Sequence, residues 1–193
     1  MKRAIRTMGA CLLAFAMVGI GAVAQEERTI EERLLAFAEQ LRLGLTLATV
    51  AAYSPTIGDL RLHAQQLVNL IEGPQGKHFV GPVPPGREAP GLLVEATALA
   101  VRFESLSPDP KMRRPIGDAA KNVRTYLAFA LETALSALRE RRIDRASADM
   151  LRAYAFLLAA YEKPCGFTYV PALASILRAF DLVDWAAGGD NPS

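Results

Sequence analysis

The chain holds two histidines, His63 and His78, with Glu72 between them and Lys77 and Arg87 nearby in sequence. Two chemistries follow from these residue types. His63, Glu72 and His78 would give a mixed nitrogen and oxygen donor set that favours no particular divalent metal. His63, Lys77, His78 and Arg87 would instead form a cationic group for a small anionic ligand or for an unknown protein partner. The second reading is preferred. Its alternative is a small-molecule or metal carrier with a site between the second helix and the 73–91 loop.

The spacings that catalysis requires are missing. The sequence has no C-x-x-C-H haem attachment, no H-E-x-x-H zinc pair, no G-x-S-x-G nucleophile turn and no phosphate loop with its Lys-Ser/Thr. Glu-x-x-His, which a di-iron helical bundle would need from two helices, is missing too. The expectation is a non-enzymatic binding or accessory module without a cofactor.

The loop that carries Lys77 and His78 opens with a stretch that returns later. Glu72-Gly73-Pro74-Gln75-Gly76-Lys77-His78-Phe79-Val80 reappears as Glu162-Lys163-Pro164-Cys165-Gly166-Phe167-Thr168-Tyr169-Val170, with Glu, Pro, Gly and Val in place and Phe79 returning as Tyr169. Leu35-Ala36-Phe37-Ala38 likewise matches Leu127-Ala128-Phe129-Ala130. One reading is an internal repeat: two related three-helix halves, each a helical hairpin, a loop and a third helix. The other is two ordinary helix stops. With its glycines and prolines, the 73–91 loop is longer than most connections and reads as mobile or functional.

Location comes from the first residues. Lys2, Arg3 and Arg6 precede an apolar run, and Ala22-Val23-Ala24 forms a small-x-small cleavage pattern, so residues 1–24 read as a secretory signal peptide. An exported protein, periplasmic or extracellular, is expected, with no stable membrane span after cleavage. Of 22 Lys and Arg in the chain, those three leave with the leader, and 19 basic then stand against 20 acidic side chains. That balance gives no basic field for nucleic acid. Cys11 leaves as well, so Cys165 remains without an internal disulfide partner. It follows a helix C-terminus, where the dipole raises a thiol pKa. A small buried residue is expected there, with dimerisation through Cys165 as the other reading.

The elements that must position these residues are helices. Thr29-Ile30-Glu31-Glu32 reads as a capping box opening helix 1, which buries Leu34, Ala38, Leu41, Leu45, Ala48 and Ala52 before Ser54-Pro55 stops it. Helix 2, residues 57–72, buries Leu60, Ala64, Leu67, Val68 and Ile71, with Arg61, Gln65, Asn69 and Glu72 off that face. Helix 3 follows over 91–105 and, with few polar positions, should be the most buried. Helix 4 starts near Pro115, and its stripe is Val123, Leu127, Ala130, Leu131, Ala134 and Leu138. A short charged turn over 139–145 reads as solvated. Helix 5 then buries Leu151, Tyr154, Ala155, Leu158 and Ala159, and helix 6 runs from Pro171 to 187. The fold class is all-α, a bundle of about six helices forming a single domain over 25–187, with a disordered tail at 188–193.

Overall fold

The computed structural model describes residues 29–81, 90–106, 110–161 and 172–179. The signal peptide expected at 1–24, the second loop copy at 162–170 and the tail at 188–193 lie outside them. Among the described residues are six helices and no strand: α1 (Ile30–Ala52), α2 (Ile57–Glu72), α3 (Leu92–Leu106), α4 (Pro110–Arg139), α5 (Ile143–Tyr161) and α6 (Leu173–Ala179). The protein is an all-α bundle.

The chain divides into two compact units, Met1–Arg33 and Leu34–Ser193. The described part of the first is the capping box. Glu32 N–H donates to Thr29 Oγ1 at 3.2 Å, and Thr29 N–H to Glu32 Oε2 at 3.0 Å, which satisfies two amides that the helix itself cannot.

In the second unit α4 is the central element, packed most extensively on α5 and then on α3, α2 and α6. Its buried residues Ile116, Ala120, Val123, Leu127, Ala130, Ala134 and Ala137 alternate steps of four and three. On α5, Ala146, Met150, Ala153, Leu157 and Ala160 do the same. That is the spacing of a coiled-coil seam, and small residues at such positions permit close packing of two helices. α1 joins through Gly44, which lies against Leu67 and Leu70 of α2 and Leu157 of α5. Arg42 also donates from Nε and Nη2 to the Tyr161 hydroxyl, at 3.2 and 2.8 Å. By length and composition α1 is apolar enough to cross a membrane, a test that core helices also pass, and 39% of its most apolar window is buried.

Three expectations are corrected. α4 starts at Pro110, not near Pro115: Pro110 takes the first helical position, where its missing amide is harmless, and exposed Pro115 sits inside the helix. Over 92–102, the part of α3 whose side chains are described, the helix is not the most buried one: Leu92, Ala96 and Leu99 are buried, but Val94 and Val101 are 53% and 71% exposed. The face of α5 is one step away from the expected one. Leu151, Ala155 and Leu158 lie outside, while Ala146, Met150, Ala153, Leu157 and Ala160 turn inward; residues 153–161 carry no charge to mark the outer side.

Candidate functional site

α2 starts on Thr56, whose hydroxyl accepts from Asp59 N–H at 3.1 Å, and ends on Gly73 with φ +76°. The backbone of Gly73 lies directly against that of Gly91 at the entry to α3, so that a Cβ on either glycine would collide with the other strand of chain. Beyond Gly73 two turns follow, with Gly76 N–H donating to Gly73 O at 2.9 Å and Phe79 N–H to Gly76 O at 3.3 Å. A side chain on Gly76 would run into Glu72, so the turn passes over Glu72 because residue 76 has none.

This path lays residues 78–80 along the polar face of α2. Gln65, Asn69 and Glu72 stand at steps of four and three on that face. Gln65 Nε2 donates to His78 O at 2.8 Å and to Asn69 Oδ1 at 2.9 Å. Asn69 then holds both backbone groups of Val80, accepting from its N–H at 3.1 Å and donating to its carbonyl at 2.7 Å. Glu72 accepts from His78 N–H on one oxygen and meets His78 Nδ1 on the other, both at 2.7 Å. Within the 73–91 loop, side chains of α2 thus hold the backbone of residues 78 and 80.

The Glu72 side chain is 9% exposed and that of His78 39%. The bond to Glu72 engages Nδ1 and orients the partly exposed His78 ring. Lys77 beside it is exposed, and Arg87 lies outside the described residues.

His63 does not join this group. Nine residues before Glu72, it sits half a turn round α2 and about 13 Å along it, and its Nδ1 pairs with Gln66 Oε1 at 3.1 Å. The set of His63, Glu72 and His78 is therefore not brought together, and among the described residues no group of three or more His, Cys, Asp or Glu could hold a metal. Cys165 lies outside the described residues. A crevice of about 10 Å³ is lined by Leu34, Phe37, Ala96, Leu99, Ala120, Val123, Leu173 and Ile176, with no residue of α2 among them. Its lining residues are all of apolar type, and it is far smaller than the roughly 300 Å³ at which ligand pockets begin.

No protein-family model, curated protein or solved structure matches this chain. The α2 corner must be read from its own chemistry. Gln65 and Asn69 are the residues that sequence reasoning missed. Their signal was polar spacing on a helix that ends in a loop rich in unsatisfied backbone.

Proposed function

We propose that this protein is an exported, non-catalytic helical-bundle module that binds an anionic ligand or partner surface at the corner where α2 meets the 73–81 turn. The single observation that supports it is the Glu72–His78 pair, which holds a partly exposed imidazole beside exposed Lys77. Exposed Lys77 supplies the positive charge that an anion would meet, and the neighbouring His78 ring is held in place by Glu72. Export rests on the basic start, the apolar run and Ala22-Val23-Ala24. A metal carrier is the weaker reading, because His63 is remote from the pair.

Titration with inorganic phosphate and with acetate, followed by NMR, tests the site. The His78 ring signals and the Lys77 amide should move together, and Lys77→Ala with His78→Ala should remove the response. Signals at 77–78 that stay fixed while others move would defeat this assignment. Export has its own test, since the chain recovered from the exporting cell should begin at Gln25.

A further inference from the structure

Charge is spread unevenly along this chain. With the leader set aside the totals nearly cancel, yet residues 110–124 of α4 hold Lys111, Arg113, Arg114, Lys121 and Arg124 against Asp118 alone. Lys111, Arg114, Lys121 and Arg124 are all exposed. Among the described residues neither Arg114 nor Arg124 is in an ion pair, and Lys121 meets Asp118 only at 4.0 Å, both side chains being exposed. The next acid along α4, Glu132, lies about 12 Å beyond Arg124.

Folding does not account for this placement. The opening of α4 carries three cations and no acid, whereas the helix dipole favours acids there. Lys121 and Arg124 stand three residues apart, where like charges repel. Cations set against the helix's own stability point to an anion outside the chain. The neighbouring helix narrows what carries that anion. On α3, which packs against α4, Val94, Thr97 and Val101 are exposed at steps of three and four, and the Thr97 hydroxyl turns back to Leu93 O at 2.8 Å. An apolar face on the helix next to a cationic one suits a lipid surface better than a soluble acid.

We infer that the α3–α4 pair docks on a membrane surface of anionic lipid headgroups, with Arg114, Lys121 and Arg124 meeting the phosphates and Val94 and Val101 adding apolar contact. α4 does not enter the bilayer, because its apolar side is committed to α5, α3 and α2. The inference is independent of the anion site at Lys77 and His78.

The test uses the protein as recovered from the exporting cell, sedimented with vesicles of phosphatidylcholine alone or mixed with phosphatidylglycerol. Binding should need the anionic lipid and fall steeply toward about 1 M salt, where the screening length is about 3 Å. Arg114→Gln, Lys121→Gln and Arg124→Gln together should weaken it about a hundredfold, at roughly fivefold for each basic side chain near the surface. The same triple variant should keep or raise the urea midpoint, since it removes cations that the helix does not favour. A fall would assign these residues to the fold and overturn the inference. Val94→Ser with Val101→Ser should weaken vesicle binding severalfold, whereas Lys77→Ala with His78→Ala should leave it as in wild type. Undiminished binding by the triple variant overturns the inference, as does binding to soluble polyglutamate with no uptake by mixed vesicles, which would make the partner an acidic protein.

Discussion

At the start of α5, Arg142 donates from Nε and Nη2 to the two oxygens of Asp144, at 3.1 and 2.6 Å. The hydrogen bond from Arg142 holds the Asp144 carboxyl below its ordinary value, and the same bond raises the guanidinium, which stays charged throughout. A lowered folded-state pKa means stability that is present above the unfolded value and lost as pH falls through the folded one. Asp144→Asn should therefore lower the urea midpoint modestly at neutral pH, the pair being exposed. The difference should vanish as pH drops below the ordinary carboxylate range. A gap that persists in acid would assign the effect to something other than this charge. The sequence pattern showed the charged turn and the Thr29–Glu32 cap, because both are local. It did not show that Gln65 and Asn69 bind the loop, because their partners lie 13 and 11 residues on and carry no side-chain signature.

Among the helices, the buried face of α2 was fully legible: Leu60, Ala64, Leu67, Val68 and Ile71 are all buried. Polar residues define the other side of that helix, so its period is unambiguous. α5 lacks this contrast over 153–161, which carries no charge, and there the side that turns in is the one with Ala153, Leu157 and Ala160. Gly44 in α1 gives a measurable case of how tight these seams are. A Cβ there would sit 3.5 Å from Leu67 and 3.6 Å from Leu157, ordinary contact distances, with Leu70 also at 3.6 Å. The glycine therefore carries the entropic penalty of a helix interior without a steric need. Gly44→Ala should raise stability by about 0.5–1 kcal/mol in denaturant unfolding. A loss instead would mean that α1 has no slack against α2 and α5.

For the whole molecule, the all-α class and the number of helices could be read from apolar spacing alone, while the way the helices meet depended on small residues that hydropathy scarcely weighs. The Gly73–Gly91 crossing is the clearest instance, since two backbones in contact leave no pattern in sequence beyond the glycines themselves. It also has a topological consequence. The stretch between these glycines is a ring already closed at its neck, so lengthening it changes little except its own entropy. Doubling such a ring adds roughly 0.6 kcal/mol. Chains with eight or sixteen Gly/Ser residues inserted within 82–89 should thus keep nearly the urea midpoint of the parent. A steep fall would show that the ring's own residues hold α2 to α3. If the midpoint holds, this corner can carry a grafted epitope or reporter, presented on a stem that the bundle keeps in fixed orientation.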